Sequence, residues 1–103
     1  MSPFDVRFSQ KSIRFRFADG QTIDDLAEAL RSGRIMPQDV PVLRLVEKDG
    51  LLFTLDNRRL EAFRRAGVEI PWRMAPSEEI AVEAWKFTTA NQGASVKVRG
   101  EVQ

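Results

Sequence analysis

The most informative stretch of the sequence is Leu55-Asp56-Asn57-Arg58-Arg59-Leu60-Glu61-Ala62-Phe63-Arg64-Arg65-Ala66-Gly67. This stretch runs from a predicted strand into a predicted helix with almost no loop, and Asp56 is the expected N-cap of that helix. The backbone N–H groups of a helix start, together with the helix dipole, attract an anion. Arg58 and Arg59 lie in this first turn, where cations are unfavourable. A bound phosphate or carboxylate would resolve that conflict.

Helical geometry separates the two arginines. At about 100° per residue, Arg59 falls on the apolar side between Phe63 and Ala66, whereas Arg58 points to the rim beside Arg65. An inward arginine needs a partner, because an unpaired buried charge is costly. The first-turn arginines therefore predict a site for an anionic ligand.

The alternative is structural. Arg59 would then pair with a carboxylate at the edge of the core, that of Asp24, Glu47 or Asp56, and Asp56 would act only as a cap. Arg–carboxylate pairs of this kind are common, whereas functional sites are few. The residue pattern alone leaves both interpretations open.

Five further residues are expected to have structural roles. Arg64 and Arg65 are predicted to be solvated helix surface, and Glu61 is expected to pair with an arginine on that surface. Trp72 and Trp85 are predicted to lie in the core or at its edge.

Short strands and helices are predicted on both sides of residues 55–67. A Lys48-Asp49-Gly50 turn joins two predicted paired strands, and Thr22 with Asp25 forms a capping-box pattern before a helix that Gly33 ends. The predicted strands are 4–8, 13–17, 42–47, 51–55, 68–74 and 96–98, and the predicted helices are 23–32, 57–66 and 77–90. We expect one α+β domain over residues 1–103, with a small mixed sheet and three helices.

The composition excludes several classes of chemistry. The 103 residues include neither cysteine nor histidine, which rules out Ser-His-Asp and Cys-His catalysis and cysteine-ligated zinc. The formal net charge is +1, so binding of nucleic acid requires a local basic patch. No apolar run approaches the ~20 residues that span a bilayer, and the N-terminus lacks a secretory pattern. We therefore expect a cytoplasmic site of action and no membrane partner.

Residues 56–63 resemble the phosphate-binding motif of the ParB/sulfiredoxin-like superfamily, written Gly-Glu-Arg-Arg-x-x-Ala in ParB-type proteins and Gly-Cys-His-Arg in sulfiredoxins. The strand pair before the motif, and the helix end and strand after it, match the family's order. The resemblance covers about residues 6–74, with residues 76–99 as an extension. It implies a ParB/sulfiredoxin-like fold whose strand-to-helix junction holds the phosphates of a nucleotide or nucleic acid.

Carried over by position, the resemblance implies that Arg58 and Arg59 contact phosphate, assisted by backbone amides of Asn57 and Arg58. Asp56 stands where the family has glycine, and its carboxylate suits a metal ligand or a base. The missing cysteine excludes sulfiredoxin chemistry. No DNA-binding helix-turn-helix domain follows, which argues against a ParB-type partition function.

The whole chain also resembles the small ParB-like modules at the C-terminal tips of bacterial polymorphic toxins of the Rhs and filamentous-haemagglutinin types. These modules are usually thought to be nucleases. The resemblance implies a metal-dependent phosphodiesterase in which Asp56, Arg58 and Arg59 are catalytic, and in which Asp56, with Asp49 or Glu61, holds Mg²⁺. It also implies delivery as part of a secreted protein, and a cognate immunity protein that is acidic where it covers the arginines.

Two alternatives use the same anion site. One is a non-catalytic ParB-like module that binds a nucleotide or a protein. The other is a nucleotide-dependent transferase that moves an ADP-ribosyl or phosphoryl group.

Overall fold

The chain folds as an α+β domain with a small mixed sheet. The computed structural model describes residues 1–101. In chain order the elements are β1 (Arg7–Phe8), β2 (Ser12–Arg14), α1 (Ile23–Ser32), β3 (Leu43–Lys48), β4 (Leu51–Thr54), α2 (Asn57–Ala66), β5 (Trp72–Met74), α3 (Ser77–Val82) and β6 (Lys97–Arg99). The sheet has the order β1-β4-β3-β5, and β2 pairs with β6 in a separate two-stranded ribbon. The expected α+β class with three helices is confirmed.

The strand directions bring three chain segments to one edge of the sheet. β1 runs parallel to β4, so both strands end at this edge, where α2 begins. β3 is antiparallel to β4, so its first residues lie at the same edge. The strand-to-helix junction is therefore surrounded by segments from distant parts of the sequence.

Two local predictions hold in detail. Asp49 and Gly50 both have positive φ, of 54° and 78°, and join β3 to β4 in a two-residue hairpin turn. At the start of α1, the Thr22 hydroxyl accepts a hydrogen bond from the Asp25 amide, and the Asp25 carboxylate accepts one from the Thr22 amide. Both features could be predicted from the sequence because their hydrogen bonds join residues that are close together in the chain.

The sheet is covered on both faces. Leu43 and Leu45 of β3 pack in a buried cluster with Leu60 and Phe63 of α2 on one face. Side chains alternate along a strand, so Val46 and Phe53 lie on the opposite face. There the Phe87 ring meets the Phe53 ring edge-on, with centroids 5.8 Å apart. The segment after α3 therefore packs on the face of the sheet opposite α2.

The structure differs from the predicted elements at both ends of the chain. Phe4 lies in a 3₁₀ turn, Pro3–Asp5, and is 63% exposed, so the first predicted strand shortens to β1. α3 ends at Val82 instead of continuing to residue 90, and Ala84–Lys86 forms a separate 3₁₀ turn. The helix ends early because Phe87 packs against Phe53 of the sheet, a tertiary contact that a continuous helix would not make.

The expected core position of both tryptophans is wrong. Trp72 is 45% exposed and Trp85 is 67% exposed. Trp72 lies on β5, an edge strand of the sheet, and Trp85 lies in the 3₁₀ turn after α3. Among residues 1–101, no helix has the length and apolar character required to cross a membrane.

Gly93 lies where the C-terminal segment passes closest to β1. Its carbonyl accepts a hydrogen bond of 2.9 Å from the Phe8 amide, so the C-terminal segment runs directly against β1. A Cβ atom at Gly93 would lie 2.1 Å from the Phe8 carbonyl oxygen, and its φ is +69°. Only glycine permits this approach of two backbones.

Gly93→Ala should therefore destabilise the protein by more than the ~1–2 kcal/mol of left-handed strain alone, because overpacking adds about 1–3 kcal/mol. Gly67→Ala is the matched control, since Gly67 has a φ of +70° with open space around its missing Cβ. Chemical denaturation of both variants measures the difference. Equal losses of stability would contradict the close approach at Gly93.

Candidate phosphate-binding site

A cleft of about 680 Å³ lies at the sheet edge where β1 and β4 end and α2 begins. Its volume falls in the range of about 300–1,000 Å³ that is typical of ligand sites. The cleft is lined by residues of β2 and β6, the start of α2, and the 3₁₀ turn after α3. The cationic residues that line it are Arg14, Arg58, Arg59, Lys86 and Arg99.

The Asp56 carboxylate does not cap α2 with its side chain. Instead it accepts hydrogen bonds from Arg44 at the start of β3: from the backbone N at 2.8 Å, from Nε at 3.1 Å and from Nη2 at 2.8 Å. The first-turn amides of α2 therefore keep their hydrogen-bonding capacity, because neither the helix nor its N-cap side chain supplies them with an acceptor.

Arg59 completes the ion-pair network around Asp56. Its Nη2 lies 2.7 Å from Asp56 Oδ1, and its Nη1 donates to the Pro41 carbonyl at 2.7 Å. The structure thus contains the Arg59–Asp56 pair that the structural alternative named. The helical-wheel prediction is also met, because Arg59 turns towards the sheet.

The surroundings of Asp56 favour its ionised form. Burial of the carboxyl group opposes its ionisation, but the side-chain and backbone hydrogen bonds of Arg44 and the charge of Arg59 outweigh that cost and hold the pKa of Asp56 below its ordinary value. On the other side, Arg44 pairs with Glu83, and hydrogen bonds to Asp56 and Glu83 raise the pKa of its guanidinium. A carboxylate held in this way is a weak base.

The acidic residues do not fit a Mg²⁺ site centred on Asp56. Both oxygens of its carboxylate already accept hydrogen bonds from guanidinium groups, whose positive charge repels a second cation. Asp49 lies in the hairpin turn at the opposite end of β4, so the structure does not bring the two carboxylates together. Within residues 1–101, no group of three or more acidic side chains has a metal-binding arrangement.

Arg58 lies on the wall of the cleft. Its Nη1 donates to the Arg16 carbonyl at 2.9 Å, and its guanidinium lies 5.4 Å from the centroid of the Phe17 ring. No acidic side chain of residues 1–101 forms an ion pair with it. The two motif arginines therefore differ: Asp56 pairs with Arg59, whereas Arg58 forms no ion pair within the described residues, although Asp19 lines the same cleft.

Two further arginines reach the same cleft from the ribbon. Arg14 of β2 and Arg99 of β6 are register partners, and both are exposed. Neither forms an ion pair with an acidic side chain of the described chain, so two like charges are held side by side. An anion bound between them would relieve that repulsion.

Asn57 has a structural role in addition to its first-turn amide. Its side-chain oxygen accepts from the Ser9 amide at 2.9 Å, and its nitrogen donates to the Ser9 hydroxyl at 3.0 Å. Asn57 is 3% exposed, so this bond attaches the end of β1 firmly to the start of α2. Because Asn57 also lines the cleft, these hydrogen bonds join the end of β1 to the cleft wall.

The predicted solvated positions of Arg64 and Arg65 are wrong. Arg64 donates to the Pro3 carbonyl at 3.0 Å and lies 4.5 Å from the Phe8 ring centroid, and burial lowers its pKa. Arg65 pairs with Glu61, as expected for that glutamate, and also with Asp24 and Glu101. Both arginines attach α2 to other segments, because their long side chains span the gap at the edge of the core.

The sequence analysis missed Arg14, Arg44, Lys86, Trp85 and Arg99 as parts of the site. Only Arg14 carried a signal, since it stands in a strand pattern rich in arginine. Comparisons of the chain with protein-family models, with curated proteins and with solved structures found no match. The geometry of the cleft therefore carries the functional argument.

Because the pKa of Asp56 is lowered in the folded protein, its contribution to stability is complete above the ordinary value of 3.8 and is lost as pH falls through the folded value. We expect Asp56→Asn to lower the free energy of unfolding by about 1–3 kcal/mol at pH 7, because Arg59 loses its carboxylate partner and Arg44 keeps only its pairs with Glu79 and Glu83. The difference from wild type should shrink as pH falls below about 4.

Urea denaturation between neutral and acid pH tests this. Asp5→Asn, at an exposed position, is the control and should change stability by less than about 0.5 kcal/mol. A cost for Asp56→Asn that is small at neutral pH, or that is independent of pH, would contradict the ion-pair network.

Proposed function

We propose that the cleft at the start of α2 binds phosphate groups of a nucleic acid or nucleotide. The observation that carries this proposal is the convergence of Arg14, Arg58 and Arg99, without acidic partners in the described chain, on one cleft. Arginine donors arranged around a concave surface suit the several oxygens of a phosphate group. The uncapped first turn of α2 adds backbone donors and a favourable dipole at the same place.

The roles of the two motif arginines differ in this proposal. Arg58 is the direct phosphate contact, in agreement with the ParB/sulfiredoxin-like resemblance. Arg59 is held by Asp56 and the Pro41 carbonyl, so it chiefly shapes the wall of the cleft and adds positive potential. Asp56 is a positioning residue: it holds Arg59 and Arg44 and leaves the amides of α2 to the ligand.

We further propose that the domain acts as a toxin-type nuclease, as its resemblance to polymorphic-toxin modules implies. The cluster of arginines would stabilise the negative charge that develops on a phosphodiester during cleavage. Any Mg²⁺ would be held by ligand phosphates and residues other than Asp56, whose oxygens are occupied. A cognate immunity protein would present acidic side chains to the same arginines.

Arg58→Gln should weaken binding of a fluorescent single-stranded oligonucleotide about tenfold, because it removes a charged hydrogen-bond donor. The dependence of log Kd on log salt concentration should fall by about one unit. Arg34→Gln is the matched control, since Arg34 is exposed and lies outside the cleft. Fluorescence anisotropy at several salt concentrations measures both quantities. Equal effects of the two variants would contradict the proposed site.

Expression of wild-type protein in bacteria should arrest growth and degrade DNA or RNA, and Arg58→Ala with Arg14→Ala should abolish both effects in a folded protein. Extracted nucleic acids run on gels report the substrate. Arrest with intact nucleic acid would instead favour a transferase acting through the same anion site. Normal growth, with binding retained in vitro, would favour the non-catalytic module and contradict the nuclease.

A further inference from the structure

Trp85 is the exposed aromatic residue of the cleft. Two thirds of its surface, 67%, is accessible although it is one of the largest apolar side chains. The other aromatic residue lining the cleft, Phe17, is half-buried and lies beneath the Arg58 guanidinium. Exposed tryptophan is unfavourable in water, and an indole beside cationic residues is typical of surfaces that stack nucleobases.

The backbone that carries Trp85 is held on both sides. Lys86 Nζ donates to the Leu55 carbonyl at 2.8 Å and pairs with Glu83 at 2.6 Å. The next residue, Phe87, packs against Phe53 of the sheet. The indole is thus presented from an anchored turn rather than from a loose loop, which lowers the entropic cost of stacking a ligand on it.

Cationic side chains near Trp85 could bind the phosphate group of a ligand whose base stacks on the indole ring. Lys86 Nζ lies 5.7 Å from the centroid of the indole ring, and Arg58 lines the same cleft. A nucleotide has a flat aromatic base at one end and phosphate at the other. The cleft offers an aromatic surface and a cationic cluster within one volume of about 680 Å³, so it matches both ends.

We propose that Trp85 stacks on an unpaired nucleobase whose phosphate is bound by the Arg14–Arg58–Arg99 cluster. This inference rests on the proposed function and names its substrate class: a nucleobase with a free face, in a single-stranded nucleic acid or a nucleotide, in preference to duplex. In a duplex the faces of internal bases are covered by their neighbours and are closed to a side chain. The stacking surface is therefore a specificity determinant that the motif itself does not contain.

The chain offers a matched control, because its second tryptophan, Trp72, is also exposed but lies outside the cleft. Trp85→Ala should weaken binding of a short single-stranded oligonucleotide about tenfold or more, whereas Trp72→Ala should leave it unchanged. Trp85→Phe retains a ring and should restore most of the affinity. Thermal unfolding of each variant checks that the fold is intact.

Four probes separate the base from the phosphate: the single-stranded oligonucleotide, its abasic analogue, its duplex form and a mononucleotide. The effect of Trp85→Ala should be large for the first and absent for the abasic chain, which keeps the phosphates without the bases. Duplex should bind wild-type protein more weakly than single strand. Loss of mononucleotide binding in Trp85→Ala would identify a free nucleotide as a source of the base, and retention of oligonucleotide binding by this variant would overturn the proposal.

Fluorescence gives a direct reading of contact. In Trp72→Phe, Trp85 is the single tryptophan, and stacking on a base should quench its emission during titration with the oligonucleotide. The abasic chain should bind without quenching. Binding of both chains with no quenching of Trp85 would overturn the stacking and leave phosphate binding intact. Failure of both chains to bind at all would overturn the proposed function itself.

Discussion

The ion pair between Arg44 and Asp56 joins the three parts of the chain on which the cleft depends. Arg44 is the second residue of β3, Asp56 precedes α2, and Glu83, which also pairs with Arg44, follows α3. Loss of the Arg44 guanidinium would take two hydrogen bonds from the buried Asp56 carboxylate, which is destabilising. The pair therefore connects the start of α2 both to the sheet and to the C-terminal segment.

This pairing also determines the electrostatics of the site. An aspartate before a helix usually caps the first turn, but here its charge is used by Arg44 and Arg59. The amides of α2 and the charge of Arg58 are consequently left without an internal anion. A ligand phosphate would supply the charge that Asp56 does not, which is why the cleft is interpreted as an anion site rather than a carboxylate centre.

The same logic separates the roles of residues that look equivalent in sequence. Arg58 and Arg59 are neighbours, yet the helix directs one to the cleft wall beside Phe17 and the other to Asp56. Arg64 and Arg65, which repeat this pairing later in α2, have no part in the cleft and attach the helix to the N-terminal turn and to acidic residues. The four arginines are chemically identical. They differ in role because their side chains leave the helix in different directions and meet different partners.

Several features followed from the sequence alone because their interactions are local. The capping box of α1, the Asp49-Gly50 hairpin, the bounds of α2 and the absence of histidine and cysteine chemistry needed no tertiary information. The Arg14–Arg99 register, the partner of Arg44 and the exposure of Trp85 depended on which distant segments meet. Hydrogen bonds within three or four residues are readable in a pattern. Contacts between residues tens of positions apart exist only once the core has brought those segments together.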